Sequence, residues 1–248
     1  MIVSAQINLC TLPQKRPSAA IAAVRVPKSV SLVITLIAIL LLPRALQAQE
    51  HAPTAHHGFG DVAHWAGVFE SPDRANWQKP DDVVRALDLK PGQTVIDIGA
   101  GTGYFTRRLA KAVAPSGEAL GLDIEPAMID YMKADAEKQG LKNYHARLVK
   151  RDDPELAPHS ADVVFFCDTL HHMNDRVAYF RKLRLALKPR GRVIVIDFEK
   201  KPLPVGPPPE DKLSREEVIA EFRAAGYRLV HDHDFLPYQY FLEFAPER

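Results

Sequence analysis

The sequence predicts an α/β fold: a doubly wound sheet of about seven strands with an antiparallel last strand. Three observations carry this expectation. From residue 94 onward, apolar β-rich runs alternate with amphipathic helical patterns. The runs are nearly continuous in Val, Ile and Phe, as befits strands buried on both faces. The chain then closes on two strand-like runs joined by a tight turn, which read as an antiparallel hairpin at the sheet edge.

The elements follow in order. "DDVVRALDL", residues 81–89, has the aspartate start and apolar spacing of a helix, and "KPGQ" stops it. The strand "TVIDIG" leads into the helix "YFTRRLAKAV", "EALGLD" into "PAMIDYMKADAEKQ", and "ADVVFFCD" into "DRVAYFRKLRLAL"; "YHARLV" and "GRVIVIDF" are the remaining central strands. "PLPVGPPPEDK" reads as a stiff loop beside the substrate opening, with a proline-rich recognition segment as the alternative. Ser214 and Glu217 form a capping box for "REEVIAEFRAAG", which Gly226 ends. "YRLVHDHDF" and "LPYQYFLEF" supply the hairpin.

At 248 residues, the chain fits one globular domain plus an appendage. Residues 1–48 carry Lys15, Arg16, Arg25, Lys28 and Arg44 and no acid, which leaves 27 basic against 31 acidic residues beyond them, a net of −4. So acidic a body lacks the basic footprint of nucleic-acid binding. The order of basic residues, the apolar run "SLVITLIAILLL" and the small-residue end "ALQA" predicts a signal peptide over 1–48, cut near Ala48. The run is nearer a dozen residues than the roughly 20 of a spanning helix, which favours export, to a periplasmic space, over an uncleaved membrane anchor. Membrane contact is expected only through that segment if it is retained. Of the two cysteines, Cys10 precedes the cut and Cys167 lies in an apolar strand, so no disulfide is expected.

Residues 49–80 read as a linker and N-terminal lid segment, with a short amphipathic piece at Trp65 to Phe69. Trp65, Phe69 and Trp77 either cover the cofactor or anchor the segment to the sheet. His51, His56, His57 and His64 crowd this stretch, but a Gly/Pro-rich linker is a poor frame for zinc, and no metal is expected.

The chemistry concentrates in "VIDIGAGTGYF". A strand, a glycine turn and a helix present backbone N–H groups and a positive dipole end to a ligand. Dinucleotides favour G-x-G-x-x-G, whereas Gly99, Gly101 and Gly103 follow G-x-G-x-G. Asp97 projects where a pyrophosphate would gather negative charge; S-adenosylmethionine (SAM) carries an ammonium and a sulfonium there instead. Twenty residues past Gly103, Asp123 ends the second strand, placed to accept from both ribose hydroxyls, which either ligand would want. In "KRDDPEL", Asp152 could accept from the adenine amino group, and Asp153 is nearly as well placed.

On "VIDIGAGTGYF", "GLDIEPAMI", "ADVVFFCDTLHHM" and "LRLALKPRGRVIVIDF", in that order, the body resembles class I SAM-dependent methyltransferases, of the group similar to quinone-biosynthesis enzymes. The coverage runs from about Asp81 to the C-terminus, domain 81–248. The resemblance implies a Rossmann-like seven-stranded sheet whose last strand is antiparallel. It places Asp97, Gly99, Ala100, Gly101 and Gly103 around the methionine part, Asp123 on the ribose, Ile124 and Met128 against the adenine, and Asp152 at the adenine edge, with Cys167 also in the cofactor site. "HWAGVFESPDRANWQKP" and "HDFLPYQYF" resemble an exported subgroup with no assigned substrate.

Methyl transfer is an in-line displacement at a carbon already activated by the sulfonium. Positioning and water exclusion supply most of the catalysis, and a base is needed only when the acceptor has a proton to lose. Asp168, His171 and His172, in the loop after the fourth strand, are the candidates for acceptor contact or proton removal. The structural alternative packs His172 under the next helix and makes Asp168 its cap. The expected reaction moves a methyl group to a small or lipophilic acceptor; a cofactor-binding protein without catalysis and, less favoured, an NAD-dependent oxidoreductase are the rivals. With Cys167 alone in the body, an arsenic acceptor is disfavoured.

Overall fold

Why the apolar runs are so dense is clear from the two cores they separate. The structure, a computed structural model, describes residues 61–247. The export segment, Cys10, His51, His56 and His57 lie outside them. Along β4 (Ala161–Cys167), Phe165 points into one core and Phe166 into the other. In β5 (Leu187–Phe198), Val193 and Val195 join the second, while Ile194 and Ile196 join the first. Side chains alternate across a strand, so each face must be apolar when both are covered.

The strands β1 (Thr94–Ile98), β2 (Glu118–Asp123), β3 (Tyr144–Leu148), β4, β5, β6 (Tyr227–His233) and β7 (Gln239–Pro246) form one sheet in the order β3-β2-β1-β4-β5-β7-β6. β1 to β5 pair in parallel, and β7 runs antiparallel to both β5 and β6. The closing hairpin therefore inserts its second strand into the sheet and leaves β6 at the edge. One core holds β1, β4 and β5 against α3 (Pro80–Ala86), α4 (Thr106–Val113) and α5 (Pro126–Gln139). The other packs α6 (Arg176–Ala186) and α7 (Arg215–Ala224), where Phe222 is stacked between Phe180 and Phe244 at 3.9 and 4.1 Å. Burying a ring of this size contributes roughly 1.5–3 kcal/mol.

Local signals set the helix ends, with one correction. Ser214 Oγ accepts from Glu217 N–H and Glu217 returns the bond to Ser214 N–H, the capping box expected for α7; Ala225 is the C-cap, and Gly226 follows with φ +87°. By contrast, α3 begins at Pro80 itself, with Lys79 as a left-handed N-cap at φ 46°, and not on the aspartates. Proline at the first helical position has no N–H to leave unpaired, so it starts the helix; Asp81 and Asp82 fill the first turn, where acids favour the dipole.

Ahead of the sheet, α1 (Val62–Phe69), which Asp61 caps, and α2 (Arg74–Gln78) form a strap over residues 61–80. Among the described residues no helix is long and apolar enough to cross a membrane.

Candidate cofactor and acceptor site

All the groups singled out at the ends of β1, β2 and β4 lie at the carboxyl edge of the parallel strands, where doubly wound sheets bind ligands. Asp97 is 3% exposed and accepts from Thr106 Oγ1 at 2.6 Å. Burial, the largest influence, pushes its carboxyl up to about 7, and Asp123 adds to this while Thr106 and Arg74 oppose it. Asp123 accepts from Gly101 N–H at 2.8 Å and Glu125 N–H at 3.0 Å. Burial raises it also. Each carboxylate oxygen keeps a second lone pair for a hydroxyl donor.

The glycine loop itself differs from the expectation of free N–H groups. Gly99 and Ala100 both donate to Leu122 O, Gly103 donates to Ala100 O, and Gly101 donates to Asp123. Four donors that a diphosphate would need are committed to the protein, and a buried carboxyl stands beside them. A ligand with a cationic tail suits this loop; a phosphoanhydride does not. Ile124 is half-buried and Met128 fully buried behind the loop. Asp152 is exposed and its carboxylate takes no hydrogen bond among the described residues, whereas Asp153 accepts from Lys182 Nζ and Glu155 N–H.

The strap places the marked aromatics Trp65, Phe69 and Trp77 and adds three side chains that the sequence did not mark, Glu70, Arg74 and Gln78. Phe69 lies over the loop, its ring 3.4 Å from where a Cβ on Gly101 would stand, and Trp65 stacks on Phe69 at 5.5 Å. Glu70 accepts from Thr102 Oγ1 at 2.6 Å and pairs with Arg107, which also binds Asp135 at 3.0 Å. Arg74 reaches Asp168 at 3.7 Å with its guanidinium 4.2 Å from the Tyr104 ring centre. Gln78 donates to Cys167 Sγ at 3.0 Å, Asp168 Oδ2 at 3.1 Å and Gln239 Oε1 at 3.1 Å. Trp77 packs against Phe198 and Tyr238 at 5.7 and 6.4 Å. The strap thus spans from β1 to β7, covering the glycine loop with Phe69 and anchoring itself with Trp77. His64 stands exposed beside Trp65.

The three candidates after β4 separate. Asp168, at φ 56°, accepts from Gln239 Nε2 at 2.5 Å and from Gln78; burial and the charge of Asp197 push it up to about 6 against the pull of Arg74 and His171. It caps no helix, since Asp175 is the N-cap of α6. His171, on the short 3-10 turn Leu170–His172, lies with Nδ1 2.8 Å from Asp197 Oδ1 at the end of β5. Burial alone would lower it, but the charge and hydrogen bond of Asp197, with Asp168 and Asp211, leave it raised. His172 is exposed, its ring 4.1 Å from that of His171, and is not packed under α6. Cys167 is held high by burial and by Asp168. Asp197 Oδ2 is buried and has no hydrogen-bond partner among the described residues, an arrangement that costs roughly 1–3 kcal/mol.

Residues 89–232, more than half of the chain, match a family model described as a methyltransferase domain. The chain belongs to this family. It is a class I methyltransferase that uses S-adenosylmethionine. The ubiquinone/menaquinone biosynthesis C-methyltransferase UbiE of Ectopseudomonas mendocina is 30% identical over 175 residues, 62% of this chain and 68% of that protein. Phosphoethanolamine N-methyltransferase 3 of Arabidopsis thaliana is 32% identical over 123 residues, which are 49% of this chain but 24% of that one. The crystal structure of a SAM-dependent methyltransferase from Aquifex aeolicus is 27% identical, with a TM-score of 0.70 over 74% of this chain and 97% of that one.

For the methyltransferase, the buried carboxyls imply a pH dependence of definite sign. Asp97 and Asp168 titrate near 7 and near 6 in the fold but near 3.9 when unfolded, so their stabilisation is full below about 4 and is lost as pH rises through about 7. Without cofactor, the thermal midpoint is expected to fall between pH 5.5 and pH 8, on the order of a few kcal/mol in stability. If Asp97 receives the cofactor's cation, saturating SAM is expected to flatten that slope. Calorimetric scans with and without SAM check both; a midpoint that climbs with pH in the unliganded protein contradicts the account.

Proposed function

We propose that this methyltransferase is exported and transfers the methyl group of SAM to a small, lipophilic acceptor bound over the ends of β4 and β5. The observation that carries the acceptor reading is aromatic: Trp77, next to the Gln78 that bonds Asp168, packs against both Phe198, next to the Asp197 that bonds His171, and Tyr238, and the proline-rich loop closes on Phe198, whose ring would lie 2.8 Å from a Cβ on Gly206. Flat aromatic surfaces favour apolar or conjugated ligands over strongly hydrated ones. The UbiE relative, by its name a quinone-biosynthesis C-methyltransferase, supports an acceptor of the same general character. The basic leader and short apolar run support export, which requires that SAM reach the body outside the cytosol.

The test is turnover by the purified full chain. SAM is incubated with phenols, hydroquinones, fatty acids, amines and amino alcohols, and release of S-adenosylhomocysteine is followed. Turnover is expected with the lipophilic hydroxylated set, and a marked preference for hydrated amino alcohols would replace the proposal. SAM binding by calorimetry with no product from any acceptor would favour the non-catalytic cofactor-binding reading.

A further inference from the structure

We infer that Asp197 is a positioning residue that aims His171 as the proton acceptor of methyl transfer, so that the acceptor belongs to the class that loses a proton on methylation: a hydroxyl or an acidic carbon, not a tertiary amine or a thioether. The inference rests on the methyl transfer proposed above and deepens it.

The geometry is that of a carboxylate–imidazole pair. Asp197 Oδ1 accepts from Phe198 N–H at 2.8 Å and lies 2.8 Å from His171 Nδ1. A carboxylate only accepts, so Nδ1 carries the proton and the lone pair of the neutral ring sits on Nε2. Nε2 takes no hydrogen bond among the described residues. The side chains of His171 and Asp197 are 5% and 1% exposed, so water does not substitute for either partner. Asp197 comes from a central strand flanked by β4 and β7, a rigid mount for an orienting group.

The surroundings favour the charged ring that proton uptake creates. Asp197 faces His171 from β5, Asp168 from the loop after β4 and Asp211 from the turn after Pro208, while His172 adjoins it on its own turn. Lys212 is the cation that faces Asp197 from the same proline-rich loop, its Nζ bound to Lys201 O. The rival groups are worse placed. Both oxygens of Asp168 already accept from Gln78 and Gln239, and His172 is exposed.

In the step, the acceptor's proton passes to His171 Nε2 and the electron pair it leaves forms the bond to the methyl carbon. The carbon–sulfur bond breaks with its pair going to sulfur. The products are the methylated acceptor, S-adenosylhomocysteine and an imidazolium held against Asp197.

The experiment uses the full chain with ring-15N histidine, the His171 signal being assigned by its absence in His171→Gln. At high pH, wild type is expected to show the Nδ1–H tautomer, a measurement that needs no folded variant of Asp197. In Asp197→Asn the His171 titration is expected to move down by about one pH unit, and the acidic limb of kcat with a phenol or hydroquinone to move with it at nearly constant KM. His171→Gln is expected to lose at least a hundredfold in kcat. An Nε2–H tautomer, or an unmoved titration in Asp197→Asn, overturns the pairing. Turnover within threefold of wild type in His171→Gln, or a preference for tertiary amines or thioethers, overturns the proton transfer while leaving methyl transfer intact. If wild type shows the Nδ1–H tautomer but methylates nothing, the pairing is supported and the function proposed above fails.

Discussion

Asp97→Asn is expected to weaken SAM binding more than a hundredfold, about 3 kcal/mol, while leaving the unliganded protein at least as stable as wild type at pH 8. The two effects have opposite sign for one reason. Asp97 is buried at the end of β1 and its carboxyl is held up near 7, so at pH 8 the empty site confines a charge with Thr106 as its hydrogen-bond donor and little else. The amide keeps an oxygen for the Thr106 hydroxyl and removes that charge, which relieves roughly 1–3 kcal/mol of desolvation. A bound cation loses its partner in the same change, and truncating one member of a buried charged pair costs about 2–5 kcal/mol. Titration calorimetry at pH 8 measures the first effect and urea unfolding the second. Should the variant bind SAM as wild type does, the cofactor's cation is not recognised at position 97; should it unfold at much lower urea, Asp97 is a structural anchor.

What could be read from the sequence was what depends on neighbours in the chain. The Ser214 and Glu217 box joins residues three positions apart and was legible as written. So was the alternation of strands and helices, because burial of both sheet faces forces continuous apolar runs at β4 and β5. Asp97, the three glycines and Asp123 were legible as a set, since one strand-turn-helix unit and the next strand end fix their spacing. The loop's committed donors were not, because Leu122 and Asp123 reach it across the sheet, the latter 22 residues from Gly101. The grip on Asp168 was hidden for the same reason: Gln78 lies 90 residues before it and Gln239 71 after it, and a lone glutamine carries no local pattern. Asp197 lay in plain sight at the end of "VIVIDF", yet only the fold brings it to His171. A strand-terminal acid in the fifth strand, paired with a histidine after the fourth, is the signal that would have found it.

Gly103→Ala is expected to destabilise the methyltransferase by roughly 2–5 kcal/mol, a fall of about 5–15 °C in Tm. Gly103 holds φ +76°, where a side chain is strained, and its Cβ would overlap the Tyr144 hydroxyl, with Tyr144 Cζ at 2.9 Å and Met132 Cγ at 3.0 Å. Neither neighbour can retreat, since Tyr144 is 3% exposed in β3 and Met132 is fully buried in α5. The collision makes a second measurement decisive. The buried Tyr144 hydroxyl has no hydrogen-bond partner among the described residues, so Tyr144→Phe is expected to be neutral or stabilising by up to about 1 kcal/mol. Combined with Gly103→Ala, it removes the nearest obstacle and leaves the backbone strain, so the pair is expected to couple favourably by about 1–3 kcal/mol. Denaturant unfolding of the two single variants and the double variant closes the cycle. Strict additivity would mean that the left-handed backbone, and not the space over the loop, requires glycine at 103.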